Sequence, residues 1–411
     1  MNDARIGVLL GSDSLLHTRS GVGRQALEIA RRLRQAPQVA GLDLLVGAQC
    51  LRAEALDTLS AQPMPGASGS SLRSKAAAIP GAAAVRAAWQ RRQMNRHAAA
   101  MARRIGSGTG IVYHEVNMIA RPFDGITVAT MHDLSWRADP RWHPADRVAW
   151  IERRLPRTLA QATRLVCVSN FTAMDLQRQF GVAASRIDVV HPGVSPIFRP
   201  VQAEAAAPVL AEFDLRERGY LLAVSTLEPR KNYDRLLTAH AMLPPTLRQR
   251  FPLVIAGGPG WGDTLADGAA ERARRSGALR LLGHVTDDTL AALYARCAAV
   301  AYVSLYEGFG LPVLEAMACG APVIASRSTA VGETAGGAAL LVDPEDTADI
   351  VGGLVRLLTD ATLAAELARL GGQRAAGFTW DAMALGLLAS WRTALGLSDH
   401  QPEGRAQQAP E

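Results

Sequence analysis

The chain is almost without lysine: Lys75 and Lys231 are the only two among 44 basic residues. Positive charge is otherwise supplied as arginine, so an ammonium at position 231 is a chemical choice rather than an arbitrary charge. Cys50, Cys167, Cys297 and Cys319 show no C-x-x-C spacing. That excludes a disulfide framework and a thiolate zinc site. No run of about 18 apolar residues offers a transmembrane helix. Met1 to Leu10 carries Asp3 and Arg5 before a short apolar run, unlike the basic start and long apolar core of a signal peptide, and reads as a first strand of a cytoplasmic protein. Asp-x-Asp is absent. With it goes the carboxylate pair that brings a divalent metal to a diphosphate. A complete G-x-G-x-x-G and a G-x-x-x-x-G-K-[ST] loop are missing too, which counts against dehydrogenase and ATPase readings.

No Asp or Glu occurs between Thr58 and His114, whereas Arg73, Lys75, Arg86, Arg91, Arg92, Arg96, Arg103 and Arg104 fall there. The whole chain carries +6, so everything outside this stretch is net acidic. Trp89, Met94 and Met101 punctuate the same alanine-rich, helix-compatible segment. Such a composition suits an anionic membrane surface, and equally a solvated basic helix. No nucleic-acid-binding module accompanies the charge, so nucleic acid is not an expected partner.

With 411 residues, 48% of them hydrophobic and 20% charged, the chain reads as soluble, globular and two-domain. Short apolar β-type runs alternate with amphipathic helical windows, the pattern of α/β parallel sheets covered by helices on both faces. The first half offers strands at Ile6 to Leu10, Leu42 to Val46, Gly110 to Tyr113, Ile126 to Met131, Arg164 to Val168 and Ile187 to Val190. The second offers Tyr220 to Val224, Leu253 to Ala256, Leu279 to Leu282, Ala299 to Val303, Pro322 to Ala325 and Ala339 to Val342. Four prolines and an alanine run mark His191 to Ala211 as a linker. The domains are accordingly 1–195 and 196–379, with helices at Thr347 to Thr359 and Trp380 to Leu395, the 380–397 helix joining the first domain. Ser60 to Ser74 reads as a mobile loop and 398–411 as a disordered tail.

Open parallel sheets hold ligands at the carboxyl ends of their strands. The richest motif there is Glu307-Gly-Phe-Gly-Leu-Pro-Val-Leu-Glu315. Gly308 and Gly310 permit close backbone approach, Pro312 suits a first helical turn, and Gly320 suits a helix stop, so a helix starts near Leu311. Its free N–H groups form an anion site fit for a diphosphate. Glu307 and Glu315 flank that start, where carboxylates can accept hydrogens from vicinal hydroxyls of a sugar and a ribose. A second motif, Ser225-Thr-Leu-Glu-Pro-Arg-Lys-Asn232, pairs the planar donor fork of Arg230 with the compact charge of Lys231, a combination suited to two linked phosphates. In the first half, Gly21 and Gly23 precede a helix at Gln25 to Leu33, either as a loop approaching a phosphate or acceptor or as a plain turn. His132 closes a strand beside Asp133, which is placed to orient the imidazole.

Glu307 to Glu315, continued by Ala-Met-Ala-Cys-Gly-Ala-Pro-Val-Ile, resembles the signature of family 4 retaining glycosyltransferases of the GT-B fold. The resemblance covers most of the chain and implies two Rossmann-like parallel-sheet domains facing across a cleft. It further implies a nucleotide-sugar held by Arg230, Lys231, Glu307, Gly308, Phe309, Gly310, Leu311 and Glu315. Gly283, His284 and Val285 would give backbone contacts to the base, His132 would lie beside the sugar, and Gly21 and Gly23 would form the first-domain glycine loop. The chain departs from the family in one place, Ser225-Thr226-Leu227 standing where many members have Gly-Arg-Leu, so that Arg230 must supply the phosphate-binding guanidinium. The Thr-Leu-Glu-Pro-Arg-Lys-Asn form is similar to a bacterial mannosyltransferase-like branch, which implies GDP-mannose, with a UDP-sugar as the alternative donor, and a role in O-antigen or exopolysaccharide assembly.

The expectation is a hexosyltransferase that needs no cofactor and no metal, with His132 and Glu307 as catalytic candidates. Its acceptor is a glycan or polyprenyl-diphosphate-linked glycan, and the Arg73 to Arg104 segment would hold it peripherally on the inner face of the cell membrane. Rival readings are a glycoside hydrolase using Glu307 and Glu315 as paired carboxylates, a GT-B epimerase, and a non-catalytic sugar-nucleotide-binding partner.

Overall fold

The computed structural model describes residues 5–17, 21–57, 82–106 and 108–397. Ser20, the 60–74 loop, Arg73, Lys75 and the 398–411 tail lie outside these residues. Two sheets carry the fold. The first has the order β3-β2-β1-β4-β5-β6-β7, with β1 (Ile6–Gly11), β2 (Val39–Val46), β3 (Gln49–Arg52), β4 (Gly110–Glu115), β5 (Ile126–Met131), β6 (Arg164–Cys167) and β7 (Ile187–Val189). The second has the order β10-β9-β8-β11-β12-β13, with β8 (Leu221–Val224), β9 (Leu253–Ala256), β10 (Leu279–Gly283), β11 (Ala299–Tyr302), β12 (Val323–Ser326) and β13 (Leu340–Val342). Pairings are parallel except β2 with β3. Strands such as Ile6–Gly11 and Leu253–Ala256 are buried along their whole length, because helices cover both sheet faces. Every strand read from the sequence is present within three residues at either end. β3 was not readable: Gln-Cys-Leu-Arg is a short, half-exposed edge strand without an apolar run.

Two helices correct the sequence reading. Residues expected to be linker form α5 (Ala203–Glu212), whose Ala206 and Leu210 are buried, Leu210 in the second core with Tyr220 and Leu293. Alanine is the strongest helix former, and here its run outweighs the nearby prolines. The basic stretch forms α2 (Ala82–Ile105), following α1 (Gly21–Leu33). Met94 and Met101 do not face a membrane: both are buried against Leu9, Leu45 and Tyr113 of the first core.

The chain crosses back to the first sheet at its end. Helix α10 (Trp380–Ala394), capped by the Thr379 side chain, packs Trp380, Met383, Leu387 and Trp391 against Val112, Val128 and Val166. Trp391 is fully buried, and its indole N–H donates to His114 Nδ1 at 3.2 Å. The outgoing and returning segments touch at Gly193, where a Cβ would lie 2.2 Å from the Trp380 nitrogen. Only glycine fits there.

Replacing Trp391 with alanine removes the largest side chain of this contact and leaves a cavity in the first core. A loss of about 3–5 kcal/mol is expected, read as a lower denaturation midpoint in urea. An unchanged midpoint would show that α10 contributes nothing to first-domain stability.

Candidate active site at the interdomain cleft

In the second sheet β8 has β9 on one side and β11 on the other, so the chain's crossovers diverge between β8 and β11. Ligands of open α/β sheets bind at such a divergence, beyond the strand carboxyl ends. The loop after β8 carries Arg230 and Lys231, and the loop after β11 carries Glu307 to Gly310. Pro229–Lys231 is a single tight turn, closed by Asn232 in the left-handed region at φ 63°. The Asn232 amide donates to the carbonyls of Val303 (3.0 Å) and Pro344 (2.7 Å), and the Leu305 N–H donates to the Arg230 carbonyl at 2.8 Å. These bonds fasten one loop to the other.

Glu307 is the hub of the resulting ion cluster. Its Oε1 accepts from Lys231 Nζ at 2.5 Å and from the Tyr302 hydroxyl at 2.8 Å, while Oε2 accepts from Arg230 Nη1 at 2.9 Å. Burial alone would raise its carboxyl, but Lys231 and Arg230 reverse that and hold it down at about 2. It is therefore ionised at neutral pH. Arg230 also donates from Nε to Glu228 (3.1 Å) and from Nη1 to the Tyr306 carbonyl (3.1 Å). Of its five N–H groups, those on Nη2 meet no hydrogen-bond acceptor among the described residues, and Lys231 uses two of three on Glu307 and Tyr302. Burial and the adjoining Arg230 lower the Lys231 ammonium, with Glu307 pulling the other way.

Helix α7 (Leu311–Ala318) begins where the sequence places it, with Gly310 at φ 101° just before and Gly320 at φ 77° just after. Pro312 carries no N–H and the Val313 N–H donates to the Gly310 carbonyl at 3.0 Å, so the helix start follows Glu307 closely in the chain but offers fewer free donors than the sequence suggests. Glu315 is buried on α7 and takes Arg24 Nη1 on Oε1 at 2.7 Å, while Arg24 Nη2 reaches Asp287 at 2.5 Å. Arg24 belongs to α1 of the first domain, so this bridge spans the cleft. Burial pushes the Glu315 carboxyl up to about 7, against the pull of Arg24. Next to the bridge lies a cavity of about 320 Å³ lined by Arg24, Glu28, Ile197, His284, Val285 and Asp287. Gly283, at φ 68°, turns the chain into that wall.

The domains also meet at Gly308. A Cβ there would lie 1.7 Å from the His132 carbonyl oxygen, and the Gly308 carbonyl accepts from Ser169 Oγ (2.7 Å) and Thr172 Oγ1 (3.2 Å). Phe309 stacks on His191 at 5.8 Å. Glycine is required at 308 because another domain's backbone occupies the side-chain position. His132 follows β5, and its Nε2 bonds the Val116 carbonyl at 2.7 Å. That bond requires the proton on Nε2 and leaves Nδ1 as an acceptor. Burial lowers the imidazole's proton affinity, so the ring is neutral.

Two expectations need correction. Asp133 does not hydrogen-bond the His132 ring: its carboxylate accepts from the Ser135 N–H and hydroxyl instead, and the Val116 carbonyl sets the imidazole. Gly21 and Gly23 are not a loop before a helix but the first turn of α1 itself. Among the described residues nothing lies within 4 Å of a Cβ at Gly21. Arg24, Asp287, Tyr302 and Ser169 were missed, since nothing in the local sequence marks partners so distant along the chain. For Arg24 the signal was its position directly after the two glycines.

Residues 19–197 match the family model for Glycosyltransferase Family 4, and residues 212–374 match that for Glycosyl transferases group 1. The O-antigen chain mannosyltransferase B of Escherichia coli is 32% identical over 379 residues, covering 91% of this chain and 96% of that protein. Among solved structures, WaaG, a glycosyltransferase involved in lipopolysaccharide biosynthesis, superposes with a TM-score of 0.65 at 17% identity, covering 95% of this chain and 100% of that one. HepE of Anabaena in complex with UDP-glucose gives 0.67 at 17% identity, with the same coverage. These two likenesses establish a shared fold.

Gly308→Ala is expected to push the His132 carbonyl away and break the hydrogen bonds from Ser169 and Thr172, costing about 1–3 kcal/mol as overpacking does. Small-angle scattering should show a larger radius of gyration. An unchanged profile together with parental stability would mean that the domains do not meet at this glycine.

Proposed function

Because the chain belongs to the family 4 glycosyltransferases and has their GT-B architecture, we propose that it moves a mannosyl group from GDP-mannose to a hydroxyl of a lipid-linked or polysaccharide glycan, retaining the anomeric configuration. The observation that carries this reading is the set of uncommitted donors beside the start of α7. The Nη2 group of Arg230 and one hydrogen of Lys231 remain available although both cations are anchored by Glu307. Together with the positive dipole end of α7 they suit a diphosphate leaving group, whose developing charge they stabilise without reorganising. The likeness to an O-antigen mannosyltransferase supports the mannosyl donor and a place in surface-glycan assembly.

In this reading Glu307 accepts hydrogens from sugar hydroxyls with its remaining lone pairs. Glu315 takes those of the ribose, Gly308, Phe309, Gly310 and Leu311 wrap the diphosphate, and Gly283, His284 and Val285 line the base. Glu307 serves poorly as a covalent nucleophile, because two cations and a tyrosine hydroxyl already share its charge. The acceptor proton passes instead to the departing diphosphate on the same face, beside the neutral His132. Gly21 and Gly23 let the start of α1 approach the phosphate or acceptor. Arginine and lysine replace a metal as the countercharge, so the reaction proceeds without a cofactor or metal. Helix α2 brings the enzyme to the anionic inner face of the cell membrane, where a polyprenyl-diphosphate-linked acceptor resides. No helix of the described residues is long and apolar enough to cross a membrane.

A thermal-shift panel of GDP- and UDP-sugars tests the donor assignment. GDP-mannose at 100 times its dissociation constant should stabilise the protein by about 2.7 kcal/mol, and the shift should vanish in Arg230→Ala with Lys231→Ala. Preferential stabilisation by a UDP-sugar would reassign the base, and an undiminished shift in the double variant would remove both cations from the site.

A further inference from the structure

The loop after β9 lies flat on the loop that carries Arg230. It reads Gly257-Gly-Pro-Gly-Trp-Gly262, and three of its glycines are points of contact. A Cβ on Gly257 would lie 1.8 Å from the Ser225 carbonyl oxygen, one on Gly260 2.3 Å from that of Leu227, and one on Gly262 2.8 Å from Cγ of Pro229. The Leu227 N–H donates to the Gly258 carbonyl at 3.1 Å, and Leu227 pairs with Pro259 as an isolated bridge. The Leu265 N–H then donates to Asp234 at 2.8 Å, on the helix entered just after Lys231. The two loops are thus packed backbone to backbone. A Cβ on Gly260 would also lie 2.9 Å from Cγ of Glu228, the carboxylate that accepts from Arg230 Nε at 3.1 Å and from the Thr226 hydroxyl at 2.7 Å.

Trp261 is the one large side chain of that glycine run, and its contacts lie in the other domain. Its indole N–H donates to the Trp142 carbonyl at 2.5 Å, its ring lies 5.7 Å from that of His143, and the Arg147 guanidinium stands 4.9 Å from its ring centre. Trp142 ends the tight turn Pro140–Trp142, and Arg147 lies on helix α3 (Ala145–Gln161), both of the first domain. His143 is itself anchored. Ser135 has a single hydroxyl hydrogen, which it gives to the Asp133 carboxylate at 2.8 Å, so His143 Nε2 donates to Ser135 Oγ at 2.9 Å. Asp133 in turn packs on Gly308, where a Cβ would lie 2.9 Å from that of Asp133. Trp261 therefore ties the Arg230 loop to the stretch of the first domain, His132 to His143, that also meets the Glu307 loop.

We propose that Trp261 is a positioning residue for the transfer reaction: seated on the first domain, it holds Ser225 to Pro229 in place and so fixes Glu228 and Arg230 where the diphosphate is bound. The task given to Arg230 rests on the proposed function, whereas the fixing of its loop does not. With the domains apart the indole loses all three partners, and a run of four glycines has no other large side chain to restrain it. The grip on the leaving group is then a property of the joined domains, set in the same arrangement that brings His132 to the cleft.

Hydrogen exchange and GDP affinity, both on the full chain, test this in Trp261→Ala, in Trp261→Phe and, from the first-domain side of the contact, in His143→Ala with Arg147→Ala. Without nucleotide, a peptide spanning 225–231 is expected to exchange at least tenfold faster in Trp261→Ala and in the first-domain variant, with β8 and β9 unchanged. Isothermal titration with GDP should show at least a tenfold loss of affinity in the same two variants and partial recovery in Trp261→Phe, which keeps a ring but not the N–H. Adding Trp261→Ala to Arg230→Ala should cost nothing further, because the indole acts through that guanidinium. Parental exchange across 225–231 would overturn the positioning role. Faster exchange with parental GDP affinity would overturn its bearing on the diphosphate, and additive losses in the double variant would show a general structural effect instead. Failure of the parental chain to bind GDP would count against the proposed donor, and the exchange of 225–231 would still decide whether Trp261 fixes the loop.

Discussion

Everything at the cleft depends on one buried carboxylate. Glu307 is withdrawn from solvent and pays for that burial only by taking Lys231, Arg230 and the Tyr302 hydroxyl at once. Breaking any one of these contacts leaves a charge in a poorly solvated place, which is why such clusters are held far more rigidly than surface ion pairs. The two cations are anchored on Glu307 by these contacts. They keep a limited set of hydrogens unspent, which the proposed reaction assigns to the diphosphate.

The same constraint organises the approach of the first domain. Residues directly following Glu307 form the surface that His132, Ser169 and Thr172 touch, so the loop holding the cations is also the loop that meets the other sheet. Arg24 makes a second bridge, to Glu315 and Asp287, beside the cavity walled by His284 and Val285. A ligand spanning the ion cluster and that cavity lies along a line both domains help to define. Its two ends meet different electrostatics: an ionised carboxylate locked to cations at one, and a carboxyl pushed up to about 7 at the other.

Much of this was legible in the sequence because it is local. The parallel strands are short apolar runs, and the start of α7 is written in Gly310, Pro312 and Gly320. Arg230 and Lys231 stand out against a composition with only two lysines. What was not legible is non-local or ambiguous in propensity. Gln49–Arg52 pairs as an edge strand without an apolar pattern, and the alanine run of α5, read as linker, becomes helix where Leu210 packs with Tyr220 and Leu293. Arg24 lies 291 positions from Glu315, and only the closed two-domain arrangement brings them together. Asp133 illustrates the opposite error, adjacency in sequence taken for contact: its backbone turns the carboxylate onto Ser135, and a carbonyl from the neighbouring strand end binds His132.

In the proposed reaction a nucleotide-sugar gives up its glycosyl group across this cleft with protein cations alone as countercharge. Mass spectrometry of a reaction containing GDP-mannose, a glycan acceptor and EDTA tests it most directly. Acceptor extended by one hexose together with released GDP is the expected result. Extension that requires an added divalent metal, or free mannose formed while the acceptor is unchanged, would contradict it.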